Sequence, residues 1–324
     1  MTEQAQAVGA VGEEATVARP ARLAGARPTR RSSVQRRVSR RGVVFVMPTL
    51  ILLGAFNLFP VLYTFYISLQ RDNLLSPPSF VGLENFRQIL GDPQFWEAVR
   101  VTVEYTVIVG PISWAIAFGL AVLLKSGPAF RRVFTALLFL PSMMPSVAMS
   151  VVWENLLQPN GPLNRTLDIR VPWLSGSNTA IVGIGFLGIW SSVGWFMVLF
   201  LAGLSMVPNE IYEAGALDGA TATAKLRWLT LPLMKPIFAF VVVQTMFNGL
   251  QVFTRMYLMT GGGPAQASTS ISLFIYQQGL TDLNMGGAAA ASVVGLLCIV
   301  ALCAIYLRIL SAERREARPV REAA

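Results

Sequence analysis

Long apolar stretches alternate with short polar connections along most of this 324-residue chain. A membrane-spanning helix needs about 20 mostly apolar residues. Six stretches meet that length: Val43–Leu69, Val101–Leu124, Val133–Leu157, Thr179–Val207, Pro236–Leu258 and Gly286–Leu310. Pro141 and Pro145 lie inside the third stretch, so we expect that helix to be kinked or broken. The pattern predicts an all-α membrane protein with six transmembrane helices.

The composition agrees with a membrane protein and argues against metal or hydrolytic chemistry. Hydrophobic residues make up 54% of the chain and charged residues only 13%, whereas soluble domains carry about 25% charged residues. The chain has no His, which is the commonest general base and a common zinc ligand. Its two cysteines, Cys298 and Cys303, share one apolar segment and lack metal-ligand spacing. We therefore predict no catalytic residue and no metal site.

The distribution of Lys and Arg predicts the orientation in the membrane. With a cytosolic N-terminus, 20 of the 26 positive residues fall on the inner side, in the N-terminal tail, in the connections 125–132 and 208–235, and in the C-terminus from Arg308 onward. Sorting of positive charge to the cytosolic side is the rule for membrane proteins. We therefore expect both termini in the cytosol. The net charge of +9 follows from this sorting, so we predict no nucleic-acid partner.

The chain divides into a membrane domain between two tails. Residues 1–42 are rich in Ala, Arg and Glu and are predicted to form a disordered basic cytosolic tail. Residues 43–310 form the transmembrane domain, and residues 311–324 form a second cytosolic tail. Aromatic residues in the outer connection 70–100 favour a short amphipathic helix on the outer leaflet.

The cytosolic connection 208–235 carries signals for two short helices. Pro208 fits the first turn of a helix that would run to about Leu217. Gly219 marks a bend, and Thr221 is a candidate N-cap for a second helix that would stop before Pro232. An ordinary solvated loop with a helix stop would show the same spacing.

The surface of this connection favours contact with another protein. Ala214 and Gly215 leave little side-chain bulk, which would let a partner groove approach the backbone. Glu213 and Asp218 offer negative charge to a Lys or Arg of that partner. The connection therefore predicts a docking site on the cytosolic face.

One family resemblance covers residues 43–310. The order EAGALDGA at 213–220, followed by LTLP at 229–232, resembles the EAA loop of ATP-binding-cassette (ABC) importer permeases. FVGLENF at 80–86 and VFTRMYLMTGGGP at 252–264 are similar to the carbohydrate-uptake, MalF-like branch of that family. The chain has Gly215 where the family usually has Ala and Leu229 where Ile is usual, and no outer connection is long enough for the extra outer domain of some maltose permeases.

The resemblance implies a function, partners and a set of docking residues. The chain would be a non-catalytic, multi-pass permease subunit in a bacterial cytoplasmic membrane, importing a sugar or related polar solute. Its partners would be two ATP-binding subunits, a second permease subunit, an extracytoplasmic solute-binding protein and membrane lipid. It would hold no cofactor, since ATP would bind to the partner subunits. The residues implied in docking the ATPase are Glu213, Ala214, Gly215, Asp218, Gly219 and Pro232.

The polar residues inside the predicted spans are the candidates for a solute path. Amide, hydroxyl and aromatic groups suit sugars, and five such residues are Asn248, Gln251, Tyr257, Ser192 and Trp195. Hydrogen bonding between helices would use the same residue types, so that alternative stays open. Glu104 and Glu154 lie near span ends and are expected to reach the outer headgroups. An ion-coupled carrier or a membrane enzyme remains an alternative, although neither a buried charge pair nor a catalytic cluster stands out.

Overall fold

A computed structural model describes residues 46–125, 127 and 131–316, and this part of the chain is mostly helical. The predicted tail at 1–42 and the residues after 316 lie outside the described residues. The chain divides into two compact units, Met1–Leu58 and Phe59–Ala324. The helices are α1 (46–53), α2 (Phe59–Ser68), α3 (Glu84–Gly91), α4 (Pro93–Lys125), α5 (Arg131–Met143), α6 (Ser146–Leu157), α7 (Pro162–Leu167), α8 (Ala180–Ser205), α9 (Asn209–Leu217), α10 (Ala222–Leu233), α11 (Lys235–Leu250), α12 (Thr254–Thr260), α13 (Ile271–Tyr276) and α14 (Met285–Glu316).

Four unbroken helical segments are long and apolar enough to cross a membrane. They are Val46–Ser68, Pro93–Lys125, Ala180–Ser205 and Met285–Tyr306. Two further pairs of helices meet the same criteria together but are bent, α5 with α6 by 92° and α10 with α11 by 65°. The described residues therefore contain four candidate spans, or six if each bent pair counts as one.

The predicted break in the third span is confirmed, and it falls at one of the two prolines. Pro141 lies inside α5 without interrupting it, whereas Pro145 precedes the first residue of α6 with an extended backbone. Proline disfavours the helical conformation in the residue before it, here Met144. The result is a near right angle rather than a gentle kink.

The centre of the second unit is the packing of α4 along α8. Ala117 and Ala121 of α4 are fully buried against Phe200 and its neighbours on α8. A Cβ atom at Gly194 of α8 would lie 2.8 Å from the Cα atom of Phe139, so only glycine allows α5 this close. Lipid tails are as apolar as the helix surfaces, so close van der Waals packing, which small residues permit, contributes to helix association in membranes.

Polar contacts between helices supplement this packing. The Trp114 indole of α4 donates a 2.9 Å hydrogen bond to the Thr245 hydroxyl of α11. The amide of Asn85, in the FVGLENF stretch, donates two 2.8 Å bonds to the carbonyl oxygens of Ser68 and Gln70. Asn85 is buried, so it holds the end of α2 against α3 through a satisfied side chain.

The connections predicted to lie on the outer side contain regular structure that the sequence did not predict. The second span helix begins at Pro93, eight residues before the predicted Val101, so the aromatic residues at 95–96 belong to it. The amphipathic helix is instead α3, and a two-residue ladder pairs Gln70 with Phe80 just before it. The described part of the chain is therefore helical with one short antiparallel pair. Helices α7 and α13 lie in two further connections between the apolar segments.

Candidate functional site

The fifth predicted span, Pro236–Leu258, does not form one helix. Helix α11 ends at Leu250 after 16 residues, and α12 begins only at Thr254. Sixteen residues extend about 24 Å, short of the hydrocarbon thickness of about 30 Å. The hydroxyls of Ser272 and Ser270 donate hydrogen bonds to the carbonyl oxygens of Leu250 and Val252. These donors satisfy the backbone groups that the break leaves free.

A cavity of about 400 Å³ lies beside this break. Four of the five predicted path residues line it: Asn248 and Gln251 from the end of α11, and Ser192 and Trp195 from α8. Gln244 and Ser191 add a further amide and hydroxyl to the wall. Irregular backbone at membrane depth is tolerated where it lines a cavity, so the break and the cavity belong together.

The connection between α8 and α11 folds into the two predicted helices. Pro208 precedes the first residue of α9, and Asp218 follows its last. Gly219 has φ of +75°, a left-handed conformation that glycine adopts at little cost. The Thr221 hydroxyl accepts a 3.3 Å hydrogen bond from the Ala224 amide and caps α10, as predicted.

The predicted stop before Pro232 is wrong, because α10 continues to Leu233. Residues Lys225–Thr230 form a π-helical stretch, in which the Leu231 amide bonds to the Leu226 carbonyl five residues back. In an α-helix the ring of Pro232 would clash with the carbonyl group four residues earlier, and the wider π-helical turn makes room for it. The helix bends instead at Met234, where the 65° change of direction into α11 occurs.

The two helices present a surface with exposed acidic, basic and apolar side chains. Glu213, Ala214, Asp218, Gly219 and Pro232 are exposed, and Gly215 is half-buried. Neither the Glu213 nor the Asp218 carboxylate has a hydrogen-bond or ion-pair partner among the described residues. The side chains of Leu217 and Trp228 are 90% and 70% exposed. We call the exposed residues of α9 and α10 the docking face, after the docking site that the sequence predicts there.

A polar clip joins this docking face to the long helices. The Lys125 ammonium, at the end of α4, donates a 2.9 Å bond to the Leu204 carbonyl of α8 and lies 4.4 Å from the centre of the Tyr212 ring. The Tyr212 hydroxyl lies 3.2 Å from the Thr230 hydroxyl of α10. We call Lys125, Leu204, Tyr212 and Thr230 the clip, since they connect α9 and α10 to α4 and α8.

Comparison with known proteins assigns the family. Residues 111–315 match the model for the binding-protein-dependent transport system inner membrane component. The chain belongs to this family of permeases. It is 30% identical to the trehalose/maltose transport system permease protein MalF of Thermococcus litoralis, over 86% of this chain and 96% of that protein. It is 31% identical to the lactose transport system permease protein LacF of Rhizobium radiobacter, over 89% of this chain and 99% of that protein.

The fold is also that of a known transporter. A crystal structure of a bacterial alginate ABC transporter, in complex with an alginate-pentasaccharide-bound periplasmic protein, contains a chain that matches with a TM-score of 0.73. The match covers 85% of this chain and 96% of that chain at 20% sequence identity. The predicted resemblance to ABC importer permeases of the carbohydrate branch is thus confirmed, and the chain is a multi-pass membrane permease.

In this permease, Tyr257 lies apart from the other predicted path residues. It belongs to α12 and stacks on Phe253, with ring centres 5.3 Å apart, while its ring centre also lies 5.3 Å from that of Tyr276. It does not line the cavity, because the break after Leu250 turns it away from the line of α11. A hydrogen bond with Tyr257 raises the pKa of Tyr276 above its usual value.

The permease cavity also contains a charged residue that sequence reasoning missed. Arg255 of α12 lines the wall and donates a 2.9 Å hydrogen bond to the Tyr105 hydroxyl and a 2.8 Å bond to the Ser191 hydroxyl. In the sequence, Arg255 lies three residues before the end of the predicted span Pro236–Leu258. An arginine inside a predicted span is costly and usually functional, and that signal could have identified it.

The two acidic residues noted near span ends do not line the cavity. Glu104 accepts a 3.0 Å hydrogen bond from Arg100 on the exposed side of α4. Glu154 is half-buried on α6. None of the described residues that line the cavity is acidic. The arrangement therefore provides hydroxyls, amides, an indole ring and one positive charge to a molecule in the cavity.

Proposed function

We propose that the chain imports a sugar or a related polar solute, which passes through the cavity between α8, α11 and α12. The single observation behind this proposal is the cavity wall. Asn248 and Gln251 offer amide donors and acceptors, Ser192 offers a hydroxyl, and Trp195 offers an aromatic face for the apolar side of a sugar ring. The relatives named for trehalose, maltose and lactose transport support a carbohydrate solute.

The chain would work as one subunit of a larger complex. Two ATP-binding subunits would bind below the membrane, a second permease subunit would pair beside it, and an extracytoplasmic solute-binding protein would deliver the solute. The structural relative was solved with a periplasmic protein, which supports the last of these. ATP would bind only to the partner subunits, and this chain would have neither a cofactor nor catalytic residues.

The docking face would receive the ATP-binding subunits on the cytosolic side. The sorting of 20 of 26 positive residues supports that orientation and cytosolic termini. Two carboxylates without a partner among the described residues, together with exposed Leu217 and Trp228, fit a protein partner, because exposed apolar patches with polar rims mark interaction sites. Glu213, Ala214, Gly215, Asp218, Gly219 and Pro232 are the proposed docking residues.

The clip would transmit movement of the docking face to the spans. Closing of the ATP-binding subunits would shift α9 and α10, and Lys125 and Tyr212 would carry that shift to α4 and α8. The bend at Met234 would carry it to α11, which holds Asn248 and Gln251. Helices α4, α8 and α11 each line the cavity or pack beside it, so a movement of the docking face would open or close the solute path.

Substitution of one docking residue tests this function. Glu213→Ala should reduce both uptake of labelled sugars and solute-stimulated ATP hydrolysis by the assembled transporter, while the amount of protein in the membrane stays unchanged. Glu84→Ala removes the same exposed charge from α3 and is the matched control. Gly219→Asp, at a second proposed docking residue, should have the same effect. Uptake at the wild-type rate in both variants would exclude the proposed docking role.

A further inference from the structure

We propose that the imported solute carries an anionic group, a carboxylate, sulfonate or phosphate on a sugar, and that Arg255 binds this group. The inference rests on the proposed function, since it takes the cavity as the solute path. It narrows the substrate from a polar solute to an acidic one.

The position of the guanidinium group is the first reason. Arg255 bonds to Ser191, the twelfth of the 26 residues of α8, and α8 is long and apolar enough to cross the membrane. The charge therefore lies close to the middle of a candidate span. Charges at that depth are costly, and they occur where they face a cavity and a counter-charge or substrate.

The second reason is that its protein partners leave the charge unbalanced. Tyr105 and Ser191 accept hydrogen bonds through neutral hydroxyls, and Arg255 forms no ion pair with any described residue. A guanidinium has five N–H donors, so three remain after these two bonds. The two hydroxyls fix the orientation of the group and leave its charge and remaining donors for a ligand.

The surroundings supply the third reason. The described lining contains Gln244, Asn248, Gln251 and several hydroxyl residues but no carboxylate, so the cavity as a whole is positive. Planar guanidinium groups bind carboxylate, sulfonate and phosphate oxygens in pairs. The side-chain amides in the same lining would bind the hydroxyls of a sugar ring. A residue needed only to join α4 and α8 would not require a charge, since a neutral amide can donate the same two bonds.

The substrate class can be tested with a mixture of oligosaccharides. A strain lacking the permease and the same strain with the permease restored would grow on partial hydrolysates of neutral polysaccharides, starch and β-glucan, and of acidic ones, pectin and alginate, with glucose 6-phosphate and 6-deoxy-6-sulfoglucose added. Mass spectrometry of the medium would show which compounds are taken up. Selective removal of acidic compounds supports the proposal, and the carboxylated, sulfonated and phosphorylated members separate the three sources of charge. Removal of neutral compounds alone would overturn it.

Variants of Arg255 test the role of the charge itself. In the assembled transporter, Arg255→Gln should raise the KM for the acidic solute about 10- to 100-fold, as expected for loss of a hydrogen bond to a charged group. Arg255→Lys, which keeps the charge, should raise it less, and the maximal rate and the KM of any neutral sugar should change little. Arg170→Gln removes an exposed charge from an outer connection and is the matched control.

Each outcome separates the two proposals. An unchanged KM for the acidic solute in Arg255→Gln would overturn the anionic class and leave the permease function standing. If Arg255→Gln does not reach the membrane, a competition experiment with the wild-type transporter replaces it. Glucose that inhibits uptake of the acidic solute as strongly as glucuronate does would overturn the proposal. Uptake of no compound, neutral or acidic, by the restored strain would count against the proposed function itself.

Discussion

A Cβ atom at Gly215 would lie 2.9 Å from the Cδ1 atom of Leu229, which is closer than carbon atoms pack. These are the two positions where the chain departs from the usual pattern of the family. The missing methyl group on α9 therefore makes room for a leucine on α10 where the family usually has Ile. The two positions face each other, so a change at one should alter the effect of a change at the other.

We expect Gly215→Ala and Leu229→Ile to stabilise the protein together more than the sum of their separate effects. Alanine favours a helix by up to about 1 kcal/mol over glycine, but beside Leu229 that gain is offset by crowding of similar size. A double-mutant cycle on the thermal unfolding of the detergent-solubilised protein measures the coupling. Additive effects would show that the two side chains do not interact.

Weakening the clip should uncouple ATP hydrolysis from transport. Tyr212→Phe removes the hydrogen bond to Thr230, a loss of about 1 kcal/mol, but keeps the ring beneath Lys125. We expect ATP hydrolysis to continue while less solute is imported per ATP. The measurement is the ratio of solute imported to ATP hydrolysed in proteoliposomes of the assembled transporter. Tyr66→Phe, an exposed tyrosine of α2, should leave that ratio unchanged.

Crowding at Gly188 should disturb the solute site indirectly. A Cβ atom there would collide with the hydroxyl of Tyr105, which holds Arg255 in place. Gly188→Ala should therefore raise the KM for the solute. Adding Tyr105→Phe to this variant should not raise the KM further, because the hydroxyl oxygen with which the new methyl group collides is then absent. If Gly188→Ala raises the KM by the same factor with and without Tyr105→Phe, Gly188 acts through helix packing alone.

The hydrogen bond between Trp114 and Thr245 should contribute to stability rather than to transport. Thr245→Val keeps the shape of the buried side chain and removes the acceptor for the indole. Hydrogen bonds between membrane helices contribute about 0.6–2 kcal/mol. We expect a lower unfolding temperature and an unchanged KM. Thr64→Val, at a half-buried threonine whose hydroxyl bonds only within α2, is the control.

Local signals predicted much of the architecture. Hydropathy located the apolar segments, Pro145 indicated the break between α5 and α6, and Gly219 and Thr221 indicated the bend and cap of the docking face. These features depend on residues within one or two turns. The chemistry of a proline or an N-cap is sufficient to produce them.

Features that depend on distant residues were not predictable in the same way. The break after Leu250 is stabilised by Ser270 and Ser272, which lie about twenty residues further along the chain. Hydropathy continues across this break, so the sequence predicted one span and placed Tyr257 in the solute path. Arg255 was visible in the sequence, but its meeting with Tyr105, 150 residues earlier, required the fold.

The Arg255 guanidinium has a consequence for the energy balance of the cell. A fixed positive charge midway along a water-accessible path raises an electrostatic barrier to protons and metal cations, as arginine does in water channels. An importer that alternates its opening between the two faces risks leaking these ions at each cycle. If the cavity is the solute path proposed above, Arg255 would repel these cations, and solute would move without dissipating the proton gradient and the membrane potential.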